Sequence, residues 1–175
     1  NPRGTDPVAL QFDTRKTTAE DQLGLRWESA PGAVETWAGA WGGTRQVEQF
    51  LAIPVLAQRP ASSAGGVIAL RRDSVGADAG VRWQFARGTL VVGVEATRLR
   101  EDRKGHENFI GSDPATARLG VRGALRRDER NRVDGAEAYA SLEWRLARDW
   151  RAMAGLRHAR VRFASDDRFL ANGDD

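Results

Sequence analysis

The clearest order in this chain is an alternation of apolar and polar positions between Gly135 and Phe163. Ala138, Ala140, Leu142, Trp144 and Leu146 share one parity, and Tyr139, Ser141, Glu143 and Arg145 the other. Past a short turn at Ala147-Arg148-Asp149 the pattern resumes. Trp150, Ala152, Ala154, Leu156 and His158 now stand opposite Arg151, Met153, Gly155 and Arg157. Side chains alternate across a strand with a period of two, so the stretch predicts a β-hairpin with one apolar and one charged face. Its arms are long for a soluble strand and suit a tilted bilayer crossing. Trp144 and Trp150 flank the turn at one height, as one hairpin's share of an aromatic girdle would.

The same reading predicts strands over about 7–15, 21–29, 34–43 (less regularly on to Leu51), 66–85 and 89–100, seven in all with the hairpin. In 66–85 the phase shifts between Ile68/Leu70 and Ala79/Val81/Trp83/Phe85, which predicts a bulge or break near 73–76. Short turns fall at 30–33, 86–88 and 147–149, and longer polar connections at 16–20, 44–65 and 101–134. Short and long connections therefore alternate, as periplasmic turns and extracellular loops do in an outer-membrane barrel. Trp27, Trp37, Trp83, Trp144 and Trp150 all lie close to the three short turns and form the expected girdle. The prolines lie outside the strand interiors, as a hydrogen-bonded sheet requires. Seven strands with open edges would leave backbone groups unpaired in lipid, so the expected piece is an arc of a larger barrel.

Composition changes this picture little. A formal charge of +3 comes from 27 basic and 24 acidic residues, mixed along the chain, and does not imply a nucleic-acid footprint. Mean hydropathy is −0.53, and no apolar run reaches the length of a membrane helix, but barrels cross with strands. There is no cysteine, hence no disulfide framework or thiolate metal site. The opening Asn-Pro-Arg-Gly-Thr-Asp-Pro does not read as a signal peptide, and an internal piece of a longer protein is expected.

The run GVEATRLREDRKGHENFIG, followed by LGVRGALRRDERNRVDGAEAYASLEWRLARDWRAMAGLRHARVRFASDD, resembles the barrel domain of TonB-dependent outer-membrane receptors, nearest their iron–siderophore branch. The resemblance covers most of 66–167 and, more loosely, the first 65 residues. It implies an all-β, antiparallel up-and-down fold, with residues 1–175 a partial barrel domain cut from about 22 strands. It further implies an outer-membrane transporter with an N-terminal plug. The partners implied are a ferric siderophore or similar chelate, the TonB complex acting through that plug, outer-membrane lipid and lipopolysaccharide. The plug, the TonB box and the terminal aromatic strand have no counterpart in this sequence, so energy coupling rests on the resemblance alone.

Under this reading Arg26, Arg82, Gln84, Glu95 and Thr97 face the lumen, as do Tyr139, Glu143, Arg145, Arg151 and Arg157. Of these, Arg82, Glu95, Tyr139, Glu143, Arg145 and Arg157 are candidate ligand contacts; the plainer alternative is a wet wall of mutual ion pairs. Arg71, Arg72, Arg103, Lys104, Arg126, Arg127 and Arg130 gather toward the outer end. Arg103, Lys104, Arg126 and Arg127 are the ligand candidates among them, since a basic vestibule would steer an anionic chelate. A solvated loop, or contact with lipopolysaccharide phosphates, is the plainer alternative, and interleaved Asp102, Glu107, Asp128 and Glu129 weaken the steering. His106 and His158 lack metal-ligand spacing. Nucleophile-elbow, Walker and dinucleotide motifs are missing, so neither enzyme activity nor a cofactor is expected. Two other classes remain: a small structural or adhesive membrane barrel, and a soluble β-barrel ligand binder.

Overall fold

A computed structural model describes residues 7–169. After a one-turn helix α1 (Pro7–Gln11) come β1 (Arg15–Ser29), β2 (Val34–Phe50), a 3-10 turn (Val55–Gln58), β3 (Val67–Phe85) and β4 (Gly88–His106). A two-residue pair, β5 (Phe109–Ile110) and β6 (Arg118–Leu119), precedes the long hairpin β7 (Leu125–Ala147) and β8 (Trp150–Asp167). The six long strands form one antiparallel sheet in the order β1-β2-β3-β4-β7-β8, and β5 and β6 pair separately. This is the up-and-down, all-antiparallel wall expected from the alternation.

The registers of β1 through β4 run without a shift, so each transverse row lies on one face. One such row is Trp27, Ala38, Ala79, Val94, Ala138 and His158. On that face each strand carries a stretch of apolar side chains near the short turns, such as Leu90, Val92, Val94 and Ala96 of β4. Arginine and aspartate follow further along. Val75 to Trp83 bounds this stretch in β3; its nine residues at ~3.3 Å each and a tilt near 40° span roughly 23 Å, close to the apolar height of a membrane barrel. Leu23, Leu25 and Leu156 on this face are 83%, 80% and 77% exposed. The opposite face is polar and glycine-rich.

The apolar core among the described residues is confined to the end of the long connections: Phe12, Phe50, Val55, Val67 and Phe109. A buried amide pair joins the two long connections there. Gln58 Nε2 donates to Asn108 Oδ1 (2.6 Å) and to Ile53 O (2.6 Å), and Asn108 N donates to Gln58 Oε1 (3.1 Å). Asn108 Nδ2 reaches Leu51 O (2.5 Å). At the other end the β1–β2 turn places Gly32 at φ 64°, the left-handed region that glycine adopts freely.

Several expectations are corrected. Residues 7–11 are helix, not strand: Pro7 suits the first helical position, and Val8 and Phe12 share parity because i and i+4 coincide in a period of two. The 16–20 connection belongs to β1, the extension to Phe50 belongs to β2, and β3 has no bulge. In β3 the apolar residues simply change face, Ile68 and Leu70 lying with the polar side. The expected loop 101–134 shrinks to 107–124 because β4 and β7 continue beyond the apolar band. The sheet thus holds six strands, the first of the expected seven being α1. Residues 1–6 and the end of RFLANGDD beyond Phe169 lie outside the described residues.

Candidate functional site

The polar face is the candidate site. Arg26, Arg82, Gln84, Glu95 and Thr97 lie on it together with Tyr139, Glu143, Arg145, Arg151 and Arg157, as the alternation requires. Most of its charges are paired. Arg157 Nη2 bonds Glu137 Oε2 (2.5 Å), Arg82 Nη1 bonds Glu35 Oε2 (2.9 Å), and Arg151 Nη1 approaches Glu143 Oε1 (3.4 Å). Arg145 sits directly across from Arg151. Arg82, Gln84, Thr89, Val91, Ser141, Glu143 and Met153 line a shallow hollow of about 320 Å³.

Sequence reasoning missed how the acids fall together. Asp78, Glu95 and Glu137 stand side by side in one row across β3, β4 and β7. Arg26 approaches Asp78 (3.7 Å) and Arg157 holds Glu137, which leaves Glu95 between two acids that have their own cations. The signal is the pairing register, which no single strand contains. Among the described residues no group of three or more His, Cys, Asp or Glu is arranged to hold a metal ion. His106 and His158 both lie on the apolar side of the sheet.

Aromatic rings occupy the same polar face. Trp37 and Trp41 of β2 lie against Gly80 and Gly76 of β3, and Tyr139 lies against Gly93. Trp37 is therefore not part of the girdle: its parity puts it with Glu35 and Arg82. Trp27, Trp83 and Trp144 do share the apolar face, where Trp83 packs on Phe85 with centroids 5.5 Å apart.

The outer basic group is split by the sheet. Arg72, Arg103 and Arg127 face the polar side, whereas Arg71, Lys104 and Arg130 face the other. Arg72 bonds Glu101 through Nε (3.0 Å) and Nη2 (2.6 Å), and Arg127 pairs with Glu129 (2.6 Å). Arg126 is engaged with carbonyls of the 51–66 connection, at Arg59 (3.2 Å), Pro60 and Ser63 (3.5 Å). These seven residues do not form one vestibule.

The tryptophans near the short turns set a tilt for the wall if they stand at one height. The row through Trp27 meets β8 at His158, yet Trp150 lies eight residues nearer the turn. Eight residues at ~3.3 Å, set against five inter-strand steps of ~4.8 Å, place the two indoles on a line inclined roughly 45° to the row. Trp83 and Trp144 fall between them. A belt at one height therefore demands strands tilted by about that angle, within reach of the 35–45° of membrane barrels.

This is the wall of a β-barrel segment, and it matches a solved structure of that kind. No family model matches the chain. The fold is similar to that of the copper transporter OprC, with a TM-score of 0.59 at 20% identity over 87% of this chain. The matched part spans 23% of the OprC chain.

Proposed function

We propose that this chain is a wall segment of an outer-membrane transporter of the TonB-dependent receptor type. Its apolar face meets lipid and its polar face lines the lumen. The observation carrying this reading is the belt of Trp27, Trp83, Trp144 and Trp150, level only if the strands tilt as membrane strands do. Residues 1–175 would then form part of a barrel domain of about 22 strands, with further strands completing β1 and β8. The plug and its TonB contact belong to the longer protein.

The cargo we propose is a chelated metal, such as a ferric siderophore, not a bare ion. The lumen face offers Arg82, Glu95, Tyr139, Arg145 and Arg157, which are hydrogen-bonding groups. Soft ligands are scarce there: Met153 is the single methionine of the sequence, and both histidines are on the other face. Fractionation of cells expressing the full-length protein tests the membrane assignment. Recovery with the outer membrane is the expected result, and recovery as a soluble monomer would favour a soluble ligand binder. Loss of ferric-siderophore uptake on deletion, against unchanged uptake of free copper, is the expected cargo result; the opposite pattern would remove the chelate reading.

A further inference from the structure

At the outer end of the sheet the pairing of β4 with β7 slips by one residue. Gly105 pairs with Arg127 and His106 with Leu125, so Arg126 is an extra residue on β7. A bulge of this kind re-aims a side chain that strict alternation would send elsewhere. Here the re-aimed guanidinium meets the 51–66 connection. Arg126 Nη2 donates to the carbonyls of Arg59 (3.2 Å) and Pro60, and Nε to that of Ser63 (3.5 Å). The side chain is only 18% exposed, and Glu107 approaches it at 3.6 Å. Arg59 donates in turn to Ser112 O, and the buried Gln58–Asn108 pair holds the same connection from within.

Two glycines tell on which side the connection lies. The space a side chain would take at Gly66 is filled by Asn108, and that at Gly105 by the Ala64 carbonyl. Gly105 stands opposite Ile68, and Leu70 opposite Arg103, all on the polar face; Gly66 continues the parity of Ile68. The connection therefore folds over the polar side, and glycine lets its backbone pass close against the wall. Val47, Ile68 and Leu70, apolar residues on that face, are half-buried there. Charge-assisted bonds to several carbonyls must break together before the segment can open, so it is rigid. We propose that residues 51–66 form a fixed lip that narrows the lumen entrance and selects by size what enters, with Arg126 as its positioning residue. The inference rests on the polar face being the lumen side, as proposed above. Arg126 then serves the chain itself and not the cargo.

The test places Leu70→Cys in the full-length protein, in a background free of other accessible cysteines. Outer membranes carrying it are treated with a small maleimide and, separately, with a polymer-linked one. Each rate is normalised to that of the denatured protein, and the ratio of the two is the readout. With the lip intact the polymer reagent should react much more slowly than the small one. Arg126→Gln should raise the polymer rate about tenfold and hardly change the small one, because losing charge-assisted bonds lets the lip open. Arg130→Gln, which removes equal charge on the opposite face, should leave the ratio in place. Should Arg126→Gln fail to assemble, Arg126→Lys, which keeps the charge without the fork of donors, should show a smaller rise in the same direction. Equal normalised rates with the lip intact, or a ratio unmoved by the Arg126 variants, would overturn the proposal. So would a thiol at 70 that neither reagent reaches, since the lip would then seal the wall and select nothing. An outer-membrane protein without size discrimination sinks this inference alone; a soluble protein sinks the membrane reading and this one with it.

Discussion

The indole of Trp37 lies across Gly80 on the adjacent strand, filling the space a side chain would occupy there. A Cβ at Gly80 would meet Cζ2, Cε2 and Cη2 of the ring. Trp41 and Gly76 repeat the arrangement two pleats along β2. The glycines let large rings lie flat on the polar face of the wall, where they cover backbone.

Gly80→Val should therefore displace Trp37 and overpack the wall, at a cost of about 1–3 kcal/mol. The thermal midpoint of the folded barrel, read by heat-dependent gel mobility, should fall. Val81→Ala, on the apolar face next door, should move it much less. An unchanged midpoint in Gly80→Val would mean the ring has room elsewhere.

A second expectation concerns the loop cap. Asn108→Leu removes the Oδ1 acceptor of Gln58 Nε2 and the Nδ2 donor to Leu51 O, and the buried polar groups left short of a partner cost about 1–3 kcal/mol. The effect should be local, because the pair joins two connections and not the sheet. Limited proteolysis within 107–124 should accelerate several-fold while the barrel midpoint hardly changes. A large fall in that midpoint would show that the cap supports the whole wall.

How much of this was legible follows the extent of the apolar band. Leu90, Val92, Val94 and Ala96 announce β4 because one face there is apolar and the other polar. The continuations of β1, β4 and β7 at 16–20, 101–106 and 125–134 stand beyond the apolar band with polar groups on both faces. They carry no period-two signal and read as loop. Midway along β2 the apolar face holds small residues, Ala38, Ala40 and Gly42, so the tryptophans dominate the pattern although Trp37 lies on the polar side. Gln58 and Asn108 are fifty residues apart. Their meeting, like the row of Asp78, Glu95 and Glu137, depends on registers that no local pattern encodes.

Acid should loosen the cap. His106 ends β4 beside the long connection, and its Nδ1 is buried without a hydrogen-bond partner. Burial first, then the charges of Arg122 and Lys104, push its pKa below the usual imidazole value, outweighing Asp128 and Glu48. A depressed folded-state pKa means the unfolded segment binds the proton more readily. The contribution to stability is complete above about pH 6.5, the ordinary imidazole value, and declines as pH falls through the lower folded-state pKa. Proteolysis within 107–124 should speed up between neutral pH and pH 5, and His106→Gln should flatten that dependence. A pH response unaffected by His106→Gln would assign it to other groups.

The ion pairs of the polar face should matter little to stability. Arg82 and Glu35 are partly exposed, so Arg82→Gln should cost no more than about 1 kcal/mol. If the face lines a transport path, ferric-siderophore uptake should fall while the thermal midpoint stays in place. Unchanged uptake would leave Arg82 as wall alone.

The most direct measurement uses two neighbours on β4, Val94 and Glu95, in a sequence that has no cysteine of its own. Val94→Cys and Glu95→Cys are each introduced into the full-length protein in outer membranes and exposed to a water-soluble maleimide. Each is then labelled with a fluorophore after denaturation, refolded, and tested against a quencher confined to lipid tails. The predicted result is that the cysteine at 95 reacts readily and escapes quenching, while the cysteine at 94 is protected from the reagent and quenched by lipid. Protection at 94 without lipid quenching, or reaction at 94 and protection at 95, would contradict a membrane wall with its lumen on the charged face.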